Sequence, residues 1–241
     1  MARFTFVALA VFALLLAPAP ARAQRPASDL MARLGAYASR FETLRTHASY
    51  NLEGRLESLD GSERVDSVKQ MRARVDFDGH ASHFSILQYV EDGQDKTREA
   101  KDKQRDAAAE EAKAPPEPHR REVRMPFHPG EQARYWFDVV ETDPSNPDRV
   151  RISFVPKIRE ADTVEGSAWV DARAGTVISA GFKFSKPPTF VDSIHVTIFF
   201  GESTALGPAP SRIMVDARGG LAFIHKHYRG AATLSQIRVT P

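Results

Sequence analysis

Residues 163–184, TVEGSAWVDARAGTVISAGFKF, decide the fold of this chain. Trp169 and Val170 end one strand-like run, and a second begins at Thr176. Between them, Asp171 can accept a hydrogen bond from its own backbone, and Gly175 can adopt a positive φ. The stretch therefore predicts a β-hairpin with its turn at residues 171–175.

The turn sequence occurs twice. V-D-A-R-x-G spans residues 170–175 and again residues 215–220. The repeat predicts a second turn of the same kind, so that the second half of the chain forms stacked hairpins. An interpretation of Asp171 and Asp216 as paired catalytic acids is weaker, because both would lie at exposed hairpin tips.

Residues 1–23 have the layout of a secretory signal peptide. A basic residue, Arg3, precedes an apolar run over residues 4–16, which is too short to cross a bilayer. Ala21-Arg22-Ala23 then forms a small-x-small cleavage site, which disfavours a retained membrane anchor. We therefore expect a secreted or periplasmic protein of a bacterial envelope, with a single domain over residues 24–241 and no membrane anchor after cleavage.

Composition narrows the classes of partner. The chain has 33 basic and 31 acidic residues, and cleavage removes two basic ones, Arg3 and Arg22, which leaves 31 of each. With this balance, and with no basic face interleaved with aromatic residues, we expect no nucleic-acid partner. The chain has no cysteine, so neither a disulfide nor a lipid-bearing cysteine is available.

The mature chain begins with a predicted amphipathic helix over residues 27–44. Ser28 is its candidate N-cap, and apolar residues recur at intervals of three and four: Leu30, Leu34, Tyr37, Ala38, Phe41 and Leu44. From His47 the period is two, and Asp60-Gly61 and Asp78-Gly79 predict turns. About ten strands follow in all, with a loop over residues 201–210. A mainly β class with one leading helix follows.

Residues 91–118 interrupt this pattern. They consist almost entirely of charged residues, Gln and Ala, and end in Pro-Pro-Glu-Pro. We interpret them as an inserted, solvated helix or a partly disordered loop. Such an insertion can serve as a lid or a partner-docking arm. A tolerated surface addition is the simpler interpretation.

The layout resembles a known family. A signal peptide, an amphipathic helix and a meander lead through Phe154-Val155-Pro156-Lys157 to Glu165-Gly166-Ser167-Ala168-Trp169-Val170-Asp171. This order of elements resembles that of the periplasmic LolA-like proteins, which sort and carry outer-membrane lipoproteins. The resemblance implies a half-barrel, which is a curved, open antiparallel sheet with helices on its concave side and a cavity that binds acyl chains. The charged insertion and the smaller number of apolar helices depart from the family pattern.

A curved sheet with one apolar face and few covering helices would leave a groove suited to apolar ligands. For any single residue an ordinary core position is the simpler interpretation. The predicted lining residues are Phe154, Trp169, Phe182, Phe184, Ile194, Val196, Ile198, Phe200 and Phe223.

No enzyme signature is evident in the sequence. It has no G-x-S-x-G elbow, no H-E-x-x-H, no phosphate-binding glycine loop and no cysteine nucleophile. His225 and His227 share one face of a predicted strand, and His195 could join them, but no further ligand spacing accompanies these residues. We therefore predict no catalytic residues, no metal and no cofactor.

The sequence thus predicts a monomeric, non-enzymatic envelope protein that binds a lipid or lipoprotein acyl chains. The alternative is an envelope protein-interaction or structural module on the same fold, which holds no lipid.

The cleavage site can be tested directly. When the full chain is expressed in a bacterium, the mature protein should begin at Gln24, because the small residues Ala21 and Ala23 fit the signal peptidase. Intact-mass measurement of the purified protein identifies the first residue. A mass that retains residues 1–23 would contradict the prediction.

Overall fold

The computed structural model describes residues 25–111, 123–187, 191–221 and 224–239. Across these ranges the chain forms one open, curved antiparallel sheet of eleven strands, accompanied by helices. The predicted mainly β class is confirmed. The predicted signal peptide, residues 1–23, lies outside the described ranges.

The helices are α1 (Ser28–His47), α2 (Thr97–Glu111) and α3 (Pro129–Gln132). The strands are β1 (Ala48–Leu59), β2 (Val65–Phe77), β3 (Ser82–Glu91), β4 (Gln94–Asp95), β5 (Tyr135–Asp143), β6 (Asn146–Pro156), β7 (Val164–Asp171), β8 (Thr176–Phe184), β9 (Val191–Thr204), β10 (Gly207–Leu221) and β11 (Ile224–Val239). None of the described helices is both long enough and apolar enough to span a membrane.

The strand order is β4-β3-β2-β1-β11-β10-β9-β8-β7-β6-β5. Each strand pairs with its neighbour in sequence except at two places. The first long strand, β1, pairs with the last, β11, in the middle of the sheet, and the chain between β4 and β5 connects the two edges.

Helix α1 forms as the apolar periodicity predicts. Leu30, Leu34, Tyr37, Ala38 and Leu44 are buried, and Phe41 packs beside them. The predicted N-cap is wrong, since Ser28 is already helical and the residue at the N-cap position is Ala27, which has no side-chain cap. Instead, Asp29 in the first turn accepts from Arg33 at 2.8 Å, and an acidic residue is favourable there because of the helix dipole.

The turn of the β7–β8 hairpin lies directly against α1. Asp171 accepts from the amide of Ala174 at 2.7 Å, and Gly175 has a φ of +67°. A Cβ atom added to Gly175 would overlap the Cβ of Arg33, and the Arg33 guanidinium donates to the carbonyl of Ala172 at 2.8 Å. The predicted turn chemistry is confirmed, but the tip is docked on the helix rather than free.

A second turn holds the same helix. The hydroxyl of Tyr37 donates to the carbonyl of Pro208 at 2.8 Å, and Arg40 Nε donates to the carbonyl of Leu206 at 3.1 Å. Both acceptors lie in or beside the β9–β10 turn. Side-chain hydrogen bonds to backbone carbonyls therefore tie α1 to two separate hairpins.

The main core lies between α1 and strands β5 to β9. Phe127, which precedes α3, stacks on Phe137 at 5.5 Å between ring centroids and meets Phe154 edge-on at 6.0 Å. The buried members of this cluster are Leu30, Leu34, Tyr37, Ala38, Phe127, Tyr135, Ile152, Phe154, Val164, Ala168, Val170, Val177 and Phe200.

The insertion is helical over α2, which favours the first of its two predicted interpretations. Gln104 Nε2 donates to the carbonyl of Phe84 in β3 at 2.7 Å, and Thr97 Oγ1 accepts from the amide of Tyr89 at 2.9 Å. The helix therefore lies along β3, close to the sheet edge formed by β4. Residues 112–118 lie outside the described ranges.

Two local expectations are wrong. The predicted loop 201–210 is a continuation of β9 and β10, which meet in a tight turn at Ala205 and Leu206. The second V-D-A-R-x-G copy lies within β10, where Asp216 pairs with His195 on one side and Arg229 on the other. Since β9 and β11 satisfy the backbone of this copy on both sides, it stays extended.

Gly175→Ala should destabilise the fold by at least about 2 kcal/mol. An alanine at a positive φ costs about 1 to 2 kcal/mol, and the overlap with Arg33 would force α1 off the turn. Urea unfolding followed by circular dichroism measures the free energy of unfolding.

The matched control is Gly93→Ala. Gly93 has a similar φ of +79°, but its added Cβ would meet nothing within 4 Å. The free energy of unfolding of Gly93→Ala should therefore fall only by the cost of the backbone conformation, about 1 kcal/mol. Equal losses in both variants would show that contact with α1 does not matter.

The alkaline stability of the fold should depend on Tyr37. Burial raises the pKa of Tyr37 above its ordinary value of 10.0. Because the folded-state pKa is the higher one, the stability it supports is complete below pH 10 and is lost as pH rises through the folded-state pKa.

Tyr37→Phe should therefore lose stability less steeply above pH 10 than the wild type, although the lost bond to Pro208 costs about 1 kcal/mol at neutral pH. Urea unfolding below and above pH 10 gives the change of the free energy of unfolding with pH for each protein. Parallel slopes would contradict the assignment.

Candidate functional site

The candidate site is on the face of the sheet that packs against α1, which we call the inner face. The core beneath α1 extends from β5 to Phe200 in β9. A second, smaller cluster continues from Leu44 of α1 to Ala48 in β1 and Ala209 in β10. Beyond these clusters the inner face is open at Leu56 in β1 and Tyr228 in β11, which are 39% and 38% exposed. Apolar side chains thus reach solvent on the same face that carries the core.

Strand register shows which side chains share this open part. One row of directly paired residues, from β9 to β1, is Val196, Val215, Gly230 and Leu56. The next row, from β9 to β2, is Ile198, Ile213, Ala232, Gly54 and Met71. Both rows are free of charged residues over these strands.

Small residues form a trough between the larger ones. Gly230, Ala232 and Gly54 occupy the middle strands, β11 and β1, so little side chain rises from the sheet there. A Cβ added to Gly54 would first meet Leu52 Cδ2 at 3.8 Å, which is ordinary contact distance. Space above this glycine is therefore open, and packing does not require a glycine there. We call this depression, defined by both rows, the inner trough.

One end of the inner trough is polar. A pocket of about 220 Å³ begins at Leu56 and is lined by Ser58, Asp66, Ser67, Lys69, Glu91, Lys226 and Tyr228. Glu91 accepts from Lys96 at 3.0 Å and lies 3.4 Å from Lys69. The hydrogen bond from Lys96 holds the pKa of the Glu91 carboxyl below its usual value, so Glu91 is charged and already paired. The arrangement suits a ligand with an apolar body and a polar end.

The nine predicted ligand-binding residues separate into four groups. Phe182, Ile194, Val196 and Ile198 are half-buried on the inner face and border the trough. Two of them, Phe182 and Ile198, also pack against the core beneath α1. Phe154 and Phe200 are buried in the core beneath α1, and Phe184 packs against that core. Phe223 lies outside the described residues.

Trp169 lies on the opposite face. Its partners in the register are Arg151 in β6 and Ser179 in β8, whereas the neighbouring Ala168 points into the core. The guanidinium carbons of Arg149 and Arg151 lie 5.2 and 5.8 Å from its ring centroid. Trp169 therefore makes cation–π contacts on the outer surface and does not line the inner trough.

Residues of β1, β2 and β10 complete the site, and sequence reasoning missed them. Leu56, Met71, Ile213 and Val215 line the trough because β1 and β11 pair across almost the whole chain. The alternation of apolar and polar residues after His47 indicated which face of β1 is apolar. Nothing in the local pattern indicated that its neighbour is the last strand.

The histidines considered as metal ligands lie near Asp216. His227 Nε2 is 3.0 Å from Asp216 Oδ2, and His195 is the β9 register partner of Asp216. The side chain of His225 is outside the described set. Within the described ranges, no group of three or more His, Asp or Glu residues is placed to hold a metal ion.

Comparisons with known proteins give likenesses of structure alone. A scan against protein-family models finds no match, and a search of the curated proteins finds none either. The chain is similar to a solved LolA superfamily protein from Nitrosomonas europaea, with 13% identity, a TM-score of 0.37, and coverage of 84% of this chain and 93% of that one.

Two further similar structures are a DUF1329 family protein from Desulfovibrio piger and a chain of the Pseudomonas aeruginosa MucA/MucB complex. The first has 9% identity and a TM-score of 0.37 over 87% of this chain and 92% of that one. The second has 10% identity and a TM-score of 0.24 over 89% of this chain and 100% of that one. The fold described above rests on the strand pairing of this chain, and these likenesses transfer no activity to it.

Proposed function

We propose that this protein is a non-enzymatic periplasmic binding or carrier protein that holds an apolar ligand in the inner trough. The ligand class is a lipid or the acyl chains of a lipoprotein. A single domain over residues 24–241, acting as a monomer after removal of the signal peptide, is part of the proposal.

The observation that carries the proposal is the exposed apolar surface of the inner trough. Leu56 is 39% exposed and the other aliphatic side chains of both rows are half-buried, over a floor of small residues on strands whose backbones are already paired. An acyl chain gains about 0.8 kcal/mol for each methylene that it buries, and a preformed trough requires little reordering of the protein.

The polar end supports an amphiphile rather than a plain hydrocarbon. Tyr228 and Ser58 offer hydroxyl groups beside Lys226 at the point where the aliphatic rows end. An acyl chain in the trough would therefore place its head group among hydrogen-bonding side chains.

Gly54→Val should block binding. The valine side chain would occupy the middle of the trough, where the glycine leaves space, and would displace about two methylenes of an acyl chain. We expect about a tenfold loss of affinity. Displacement of a fluorescent fatty acid from the mature protein measures the dissociation constant, and native mass spectrometry shows whether an acyl ligand co-purifies.

The matched control is Gly181→Val on the other face of the sheet. A Cβ added to Gly181 would first meet Thr197 Oγ1 at 3.9 Å, so the valine is accommodated there as well. This variant should keep wild-type affinity. If the wild type neither retains an acyl ligand nor binds the fluorescent fatty acid, the carrier proposal is wrong.

A further inference from the structure

The face opposite α1, which we call the outer face, carries a second and larger depression. It has a volume of about 460 Å³ and spans strands β3, β2, β1, β11 and β10. Its charged and amide-bearing lining residues are Glu53, Arg55, Gln70, Arg72, Gln88 and Arg212. We call it the arginine basin.

Positive charge exceeds negative charge in the arginine basin. Three guanidinium groups face one carboxylate, that of Glu53, which lies 3.3 Å from Arg72. Arg55 is paired with Glu57 at 2.9 Å. Arg212 forms no ion pair with any side chain in the described part of the chain, and it leaves a guanidinium free to bind an anion.

The register determines the length of a ligand that could reach both ends of the basin. Arg72, Glu53, Thr233 and Arg212 are successive partners on β2, β1, β11 and β10. Three strand spacings of about 4.8 Å separate Arg72 from Arg212 by about 14 Å. A single phosphate or carboxylate cannot bridge that distance, whereas four residues of extended polypeptide span about 13 Å.

Apolar side chains continue the same row beyond Arg212. Phe199 on β9 is the register partner of Arg212, and Met214 lies two residues along β10. Both are 40% exposed. A ligand that reaches Arg212 therefore meets an apolar surface at its next position.

We propose that the arginine basin binds an extended acidic segment of a partner polypeptide. Two carboxylates four residues apart pair with Arg72 and Arg212, and an apolar residue follows on Phe199 and Met214. Arginine suits this role because its planar fork binds a carboxylate through two hydrogen bonds. A flat bilayer surface fits a depression less well than a chain does.

This site is independent of the proposed lipid function. The apolar side chains of the inner trough and the charged side chains of the arginine basin lie on opposite faces of the sheet, and the two share only Gly54 and Met71. Failure of one test therefore leaves the other unaffected.

The test uses the mature protein and two labelled peptides. The first is an extended peptide with two glutamates four residues apart followed by a leucine, and the second has glutamines in place of both glutamates. Fluorescence anisotropy should show that only the glutamate peptide binds, with an affinity that falls as salt is raised.

Arg72→Gln and Arg212→Gln should each weaken binding about threefold, and the double variant about tenfold, since exposed charge pairs are worth up to about 1 kcal/mol each. The control is the double variant Arg64→Gln/Arg105→Gln. It removes the same charge from side chains that are 81% and 73% exposed, away from the basin.

Several outcomes would overturn the proposal. These are equal binding of the two peptides, no binding of either, or an equal loss in the control variant. Vesicles of phosphatidylglycerol form a further arm of the test. If they bind the wild type but not the basin variant, while the peptide binds neither, the surface recognises a membrane instead.

Discussion

The close contact between α1 and the β7–β8 turn is the constraint on which the rest of the structure depends. Gly175 has a positive φ and no side chain, so the backbone of α1 at Arg33 can rest directly on the turn. Tyr37 and Arg40 hold the same helix on a second turn. Because both hairpins are bound to the same helix, strands β5 to β9 have a defined position against α1. The aromatic core forms between the helix and these strands.

The dimensions of helix and sheet explain why part of the inner face stays open. A helix of 20 residues is about 30 Å long, whereas eleven strands at about 4.8 Å spacing extend about 48 Å. The C-terminal part of α1 reaches one end of β10 and β1, where Leu44 packs with Ala209 and Ala48, but one helix cannot cover the whole width of the sheet. The sheet continues its apolar alternation past the helix, and Gly54 leaves open space in that region, whereas the side chain of Leu56 lies over Gly230.

Local patterns predicted part of the local structure. Apolar residues at intervals of three and four from Leu30 to Leu44 predicted α1, and Asp-Gly pairs predicted turns. The second V-D-A-R-x-G copy shows where such reasoning fails, because Asp216 lies on a strand paired on both sides and the same residues then stay extended. Most of the inner trough was missed for a related reason. The pairing of β1 with β11 is non-local, and no residue near Leu56 indicates which strand will lie beside it.

That central pairing has a consequence for how the chain folds. Ala48 pairs with Val239, so the middle of the sheet cannot close until the last strand is available. Contacts between residues far apart in sequence form slowly, because the loop between them must be closed first. During synthesis β1 and β2 exist as a hairpin without their other neighbour, and their apolar face has no partner. The sixteen-residue strand β11 therefore has to be in place before the two halves of the sheet can join.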